Sequence, residues 1–411
     1  MKKKIIIHID IDSFFVSAER KNNSFYKDKP TAISYNKNNS IAVSLSYEAK
    51  ERGVKVPWKL GEIRKIIPDI IVVEPNYNLY LNESINFFNF LKTKYTKKIE
   101  IVSIDECYLD ITDIVNKNTD LNIFLKKMQQ EVFNFTKLPV SIGLSYNKFL
   151  AKMSTNLAKP FGTKITNYNE IKTNILPLEI EKCYGIGKHS LPKIKEYKIF
   201  TIKDFLVKLL TDKMFLNWMG KRGIDYINNL TKEGDNVVNF VEEDQKIISQ
   251  QITFDEDKKL KERETILLHI KYIIKNLTLS MQNKMLEAQA LFLVLNIKSD
   301  QKKKKRIKFS HPTNDFDYAF GVAIKAFDEV WNEDEIRFLT CGFTNLIKES
   351  SQKSLLDNTK ENKNNKVNEI MKKVNLILKE KKVISLEEHN KNIIKNKSIK
   401  VRTFGINNKI K

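Results

Sequence analysis

A chain of 411 residues, 41% of them hydrophobic and 30% charged, has the length for several domains and the apolar content to fill their cores. Its 72 Lys and Arg against 50 Asp and Glu leave a formal net charge of +22. This favours a polyanionic partner, nucleic acid first, although the richness in Lys, Asn and Ile also fits an A/T-biased genome. No stretch approaches about eighteen consecutive apolar residues, so no membrane-spanning helix is expected. The opening MKKKIIIHIDIDSFF has an apolar run of only about five residues, broken by His8, Asp10 and Asp12, too short for a signal peptide. Cys107, Cys183 and Cys341 have neither disulfide nor metal-site spacing, which fits a reducing cytoplasm.

In chain order, residues 4–12 read as a buried strand and 13–21 as the start of a helix. IAVSL (41–45) reads as a strand, and YEAKERG as a short helix closed by Gly53. PDIIVVEP is a strand bracketed by prolines. Residues 76–98 have helical period, with Leu81, Ile85, Phe88 and Leu91 on one face. IEIVSIDECYLDI follows as a strand hairpin, then a helix over 120–136, the strand VSIGLS and the helix NKFLAKMSTNLA. Strands and helices thus alternate over one sheet through about residue 165. Residues 175–235 read as short helices with glycine turns. NVVNFVEEDQ reads as a linker, and 248–345 again mix a long helix with strands. Beyond 346 the chain is polar, with a helix expected only at 366–380.

SIDECYLD (103–110) sets two acids inside an apolar strand pattern, where carboxylates are depleted and costly to desolvate. Asp10 ends the first strand, on what should be a neighbouring position. Three acids meeting on one sheet need cations, and hard oxygen ligands suit Mg²⁺ or Mn²⁺. Two such ions can activate an attacking hydroxyl and stabilise a leaving phosphate. Asp105 and Glu106 would face opposite sides of a regular strand, so both can serve one site only at a strand end or bulge. The alternative is an acidic pair on a solvated surface.

HIDIDSFFVSAE, VSLSYEAKERGVK, SIDECYLD and SIGLSYNKFLAKMSTNLAKPFG occur in this order and resemble the catalytic core of Y-family, translesion-type DNA polymerases. The resemblance spans about residues 1–345. It implies an α+β multidomain fold: a right-hand polymerase with a palm of sheet plus helices (1–30 and 75–165), small fingers (31–74), a helical thumb (166–236), a linker (237–247) and an α/β little finger (248–345). A polar tail completes it (346–411). The implied activity is template-directed, low-fidelity, distributive DNA synthesis from dNTPs past damaged bases, without proofreading. Asp10 and Asp105 would bind both of two Mg²⁺ ions, with Mn²⁺ as a substitute. Glu106 would bind the ion nearer the primer terminus, and the Ile11 carbonyl would add a ligand. Asp12 reads as a structural or capping acid. Phe15 matches the steric gate, whose flat ring leaves no volume for a 2′-hydroxyl. Phe14 is counted with the nucleotide-binding residues, or else with the core. Ser44, Tyr47, Lys50 and Lys159 would hold the triphosphate, and Lys148 is either a substrate or template contact or a solvated helix residue. Two departures stand out: Lys50 replaces the usual Arg, keeping charge but losing the bidentate fork, and the finger segment GVKVP is shorter than usual.

CYGIGKHSLPKIKEYKI resembles a helix-hairpin-helix, with Gly185, Gly187 and Lys188 set against a DNA phosphate. QKKKKRIKFS places Lys303, Lys304, Lys305 and Arg306 in a basic run ahead of a strand, suited to the phosphate backbone. In the tail, Gln352, Ser354, Leu355 and Leu356 resemble the short peptide that docks on a sliding clamp. The chain is expected to act as a monomer on primer-template DNA. The rival readings are a two-metal nuclease, which would not need Phe15 or the triphosphate set, and a non-catalytic DNA- or clamp-binding protein, against which the three acids argue.

Overall fold

The computed structural model describes residues 4–116, 118–231, 234–240, 245–254, 261–297, 301–349 and 401–402. They form two compact units that divide between Glu242 and Glu243.

In the first unit, β1 (Ile6–Ile11) leads into α1 (Phe14–Asn22). A small layer follows: β2 (Thr31–Ile33), β3 (Ser44–Leu45), α2 (Tyr47–Glu51), α3 (Leu60–Ile66) and β4 (Ile71–Val73). The strand expected over 41–45 is therefore shorter, with Ile41 making only an isolated bridge to Lys59. Next come α4 (Tyr77–Lys94), β5 (Ile99–Ile101), β6 (Glu106–Asp110), α5 (Leu121–Thr136), β7 (Val140–Ser145), α6 (Lys148–Ala158) and β8 (Thr163–Ile165).

The main sheet runs β5-β6-β1-β7-β8, with β1 at its centre and antiparallel to both neighbours. Strand alternation gives this sheet two different faces. Ile7, Ile9 and Ile11 join Cys107, Leu109, Val140 and Ile142 beneath the apolar sides of α1, α4 and α5, supplied by Val16, Phe87, Phe88, Leu91, Leu125 and Val132. Burying each large side chain is worth about 1.5–3 kcal/mol, so this face anchors the layer. On the opposite face the register sets His8 beside Tyr108 and Gly143, and Asp10 beside Glu106 and Ser141. Helix α6 lies across that face. A β-carbon on Gly143 would run into the Ala151 carbonyl and the Thr155 amide, so only glycine permits this approach.

The outer side of α6 carries Phe149, Leu150 and Met153 into a second core built from α7 (Leu191–Glu196), α8 (Ile202–Thr211), α9 (Lys213–Met219) and α10 (Lys221–Thr231). The Thr201 hydroxyl and the Asp204 carboxylate cap α8 reciprocally. The chain then returns to the sheet. Val238 is buried against Ile6, Tyr108 and Ala151. Lys148 joins Asp235 at 2.8 Å and Glu100 at 3.2 Å, and the Asn239 amide donates to Glu100 at 2.7 Å. The start of the expected linker is thus seated on the first unit, and Lys148 is a structural anchor there.

The second unit contains β9 (Ile247–Thr253), α11 (Arg263–Asn283), β10 (Leu286–Ile297), β11 (Lys302–Thr313), α12 (Phe316–Asp328) and β12 (Ile336–Lys348), with the short β13 (Val401–Arg402). Its sheet runs β11-β10-β12-β9-β13, and α11 and α12 cover one face. The basic run corrects an expectation: it does not precede a strand but forms one. Its period of two decides where each charge goes. Lys303 and Lys305 turn toward the helix-covered face with Ile307 and Phe309, where Lys303 meets Asp334 at 2.5 Å and Lys305 pairs with Glu329. Lys302, Lys304, Arg306 and Lys308 are exposed on the open face. Lys303 and Lys305 therefore leave the set of residues turned toward a polyanion. Gln352, Ser354, Leu355 and Leu356, with the helix expected at 366–380, lie outside the described residues.

Candidate active site

The acids converge because β1 ends where the neighbouring β6 begins, at one end of the main sheet. Asp10 is the penultimate residue of β1, and Glu106 is the first residue of β6 and its register partner. Asp105 precedes β6 in a turn, where its carbonyl accepts from the Ile11 amide at 3.0 Å. The strand end thus resolves the conflict between adjacent acids: Glu106 follows the pleat, and Asp105 does not have to. The Ser103 hydroxyl donates to Asp105 at 2.5 Å. Burial pushes the Asp105 carboxyl up to about 6, helped by the charges of Asp10 and Glu106 and opposed by the Ser103 hydrogen bond and Lys159.

Two ammonium groups enter this cluster from α6 and its end. Lys152 lies 3.0 Å from one Asp10 oxygen and also pairs with Glu106, while Lys159 pairs with the other Asp10 oxygen. The Lys152 side chain is only 11% exposed. Burial alone would lower its affinity for a proton, but the charges of Asp10 and Glu106 raise it. Burial would likewise raise the Glu106 carboxyl, yet the neighbouring His8 and Lys152 hold it well below the usual carboxylate range. His8 Nε2 is 3.6 Å from Glu106, beyond hydrogen-bond distance, and burial lowers its own proton affinity. Among the described residues, His8, Asp10 and Glu106 offer metal-ligand atoms within 4.8 Å of one another. Asp105 stands outside that closest set.

Beside the acids lies a cationic pocket. The Lys50 ammonium donates to the Ser13 hydroxyl at 2.8 Å and sits 4.4 Å from the centre of the Tyr47 ring. Burial, then the charge of Lys159, depress its proton affinity, so Lys50 and Lys159 reach one region from α2 and from the end of α6. Tyr47 donates to Asp12 at 3.2 Å, and Ser44 stands on β3 just before α2. Asp12 is buried and also accepts from Ser141 at 2.8 Å and from the Phe161 amide at 2.8 Å, so it ties β1, β7 and the turn after α6 together. Burial raises its carboxyl against these bonds.

Phe15 is partly exposed and stacks on Tyr80, with ring centres 4.2 Å apart and planes at 11°. The Tyr80 hydroxyl donates to buried Glu19 at 2.8 Å, which fixes the supporting ring. Phe14, counted above with the nucleotide-binding residues, is 3% exposed and packs into the main core, because it opens α1 on the side facing α4. At the expected hairpin, Gly185 has φ +87°, and a β-carbon there would meet the Tyr226 hydroxyl at 2.5 Å. Gly187 and Lys188 are exposed beside it.

Reasoning from residues missed Lys152, His8, Ser141, Tyr80 and Glu19. The signal for Lys152 was present: Lys148, Lys152 and Thr155 fall on one helical stripe, continued toward Lys159.

Residues 9–156 match the impB/mucB/samB family, and residues 245–356 match the C-terminal domain of that family. A DNA polymerase IV of Ureaplasma parvum serovar 3 is 31% identical over 357 residues, covering 86% of this chain and 98% of its own. DNA polymerase IV 1 of Halalkalibacterium halodurans is 30% identical over 350 residues, with 82% and 81% covered. A solved Y-family DNA polymerase chimera of Dbh and Dpo4 aligns with TM-score 0.71 and 25% identity, over 84% of this chain and 100% of its own. The chain therefore belongs to the impB/mucB/samB family of Y-family DNA polymerases, with bacterial DNA polymerase IV among its relatives.

Proposed function

We propose that this protein is a DNA-directed DNA polymerase that copies past damaged template bases with low fidelity, without proofreading. The observation that carries the reading is the meeting of Asp10, Asp105 and Glu106 with Lys50 and Lys159 at one end of the main sheet. A nuclease would need the acids but not the cationic pocket or the stacked Phe15.

The donor set fits Mg²⁺: hard carboxylate oxygens converge, and positive charge already rests on them as ammonium groups. Asp10, Asp105, Glu106 and the Ile11 carbonyl would hold the ions. When bound, the metal supplies a more acidic primer 3′ hydroxyl and charge neutralisation at the phosphates. The chain's own residues do the rest. Tyr47, Lys50 and Lys159 grip the triphosphate, and Ser44 borders it. Lys159 turns from Asp10 to do so. Phe15, held by Tyr80, closes the volume beside C2′ of the incoming sugar. Asp12 keeps β1, β7 and the turn after α6 in register under that load.

We assign residues 1–30 and 75–165 to a palm, 31–74 to fingers, 166–236 to a thumb and 248–345 to a little finger. Gly185, Gly187 and Lys188 of the thumb, and Lys304 and Arg306 of the little finger with Lys302 and Lys308, hold the duplex by its phosphates. Gln352, Ser354, Leu355 and Leu356 form a sliding-clamp peptide; deleting 350–357 should leave unassisted synthesis intact and remove stimulation by the clamp. The protein works as a monomer in the cytoplasm. Among the described residues no helix is long and apolar enough to cross a membrane, and the three cysteines are buried free thiols.

The deciding experiment is primer extension on a primed template with Mg²⁺ or Mn²⁺. Wild type should add dNTPs opposite the template, and Asp105→Ala should not. Cleavage of the DNA instead of extension would favour the nuclease; binding without either reaction would favour the non-catalytic reading.

A further inference from the structure

The buried ammonium of Lys152 has no part in the scheme above. It lies between Asp10 and Glu106, 3.0 Å from the first and paired with the second. Those oxygens are the ones a divalent ion must use. Lys152 is buried on α6, which packs on β1 and β7, and 11% exposure leaves its head little water to turn to. Without it, two register-paired carboxylates on adjacent strands would face each other in a poorly solvated place and repel. Of these two acids Lys159 pairs with Asp10 alone, from a more exposed position at 28%. It does not bridge the two strands.

We propose that Lys152 is a placeholder cation: it holds Asp10 and Glu106 at metal-binding separation while the site is empty, and is displaced when a divalent ion enters. The inference rests on the reading that Asp10 and Glu106 are metal ligands. A flexible four-carbon stem suits the task, since an ammonium is a point charge that leaves without breaking a bidentate fork. Lys152 is thus a positioning residue. It sets the affinity of the empty enzyme for metal: every ion that binds must first outcompete it. Substrate phosphates add charge that favours the ion, so the site fills at lower metal concentration once nucleotide has arrived.

The test uses the full chain without DNA or nucleotide, with Mn²⁺ as the probe and the electron paramagnetic resonance signal of free hydrated Mn²⁺ as the readout. Lys152→Met should bind Mn²⁺ on the order of tenfold to a hundredfold more tightly than wild type, because a repelling charge a few ångströms from the ion is gone. Lys152→Arg, which keeps the charge and adds a bidentate fork, should bind Mn²⁺ no more tightly than wild type. Asp10→Asn should lose the site. Loss in Asp10→Asn with no gain in Lys152→Met overturns the placeholder role alone. Mn²⁺ binding that survives Asp10→Asn overturns the metal-site reading and the inference with it. Should Lys152→Met fail to fold by circular dichroism, the wild-type chain carries the test. Acetylation of Lys152, read by mass spectrometry, should rise when Mn²⁺ is added, and reactivity that does not change would overturn the proposal.

Discussion

Replacing Asp105 by asparagine should stabilise the metal-free protein, although it removes one of the acids proposed to hold the metal ions. The folded carboxyl titrates near 6, against 3.8 for an ordinary aspartate. Between those values the folded chain binds more protons than the unfolded one, so stability falls as pH rises through this window, and the full cost stands above it. A gap of about 2.2 pH units corresponds to about 3 kcal/mol; Asp105 is not wholly shielded from water, which reduces this to about 2 kcal/mol. Asparagine keeps an oxygen to accept from Ser103 and carries no charge. Urea unfolding in EDTA should therefore find Asp105→Asn more stable by about 2 kcal/mol at pH 8, with a melting point raised by roughly 4–8 °C. The advantage should shrink to nothing near pH 4. With Mg²⁺ present it should shrink at pH 8 as well, because the ion stabilises the charged wild type. A mutant less stable than wild type at pH 8 in EDTA, or an advantage independent of pH, would refute the reasoning.

Phe15→Ala should relax sugar selection by about 3 kcal/mol, roughly a hundredfold gain in ribonucleotide over deoxyribonucleotide insertion, measured by single-nucleotide primer extension. A selectivity that stays put would remove Phe15 from the gate. On β11, Lys304→Ala with Arg306→Ala should weaken DNA binding and reduce the slope of log affinity against log salt by about 1.8, whereas Lys303→Ala with Lys305→Ala should leave that slope nearly unchanged. Equal effects from the two pairs would contradict the two-faced strand. Gly143→Ala should cost more than about 3 kcal/mol in thermal unfolding, because the added methyl drives α6 off β7. A near-neutral result would mean that the helix moves freely over the sheet.

Much of this architecture was legible because burial leaves a pattern. The isoleucine run of β1, the apolar stripe of α4 and the strand VSIGLS each carry the period of the element they form. The acids at 105 and 106 were legible because they violate that pattern. Most of what stayed hidden shares one cause: charge whose partner is distant in the chain. Lys152 looks like an ordinary helix-surface lysine until Asp10 and Glu106 are placed beneath it. The lysines of β11 argue against a strand by propensity, and the strand forms because Asp334 and Glu329 neutralise alternate members. Residues 236–240, the start of the stretch that reads as a polar linker, need only one buried apolar residue, Val238, and the Asn239 amide on Glu100 to be seated. Tyr80 and Glu19 were invisible for a simpler reason: a stacking partner has no sequence spacing of its own.

Strand β11 has one more property. Among the described residues it forms an edge of its sheet, with no strand paired on its outward side, where an edge strand can template pairing with another molecule. Lysines spaced along it set like charge against like whenever two copies approach edge to edge. The same run that is proposed to hold DNA phosphates would therefore also disfavour edge-to-edge pairing of two copies. Neutralising it to study binding would remove that guard, and a charge-poor variant is expected to aggregate at concentrations where the wild type stays dispersed.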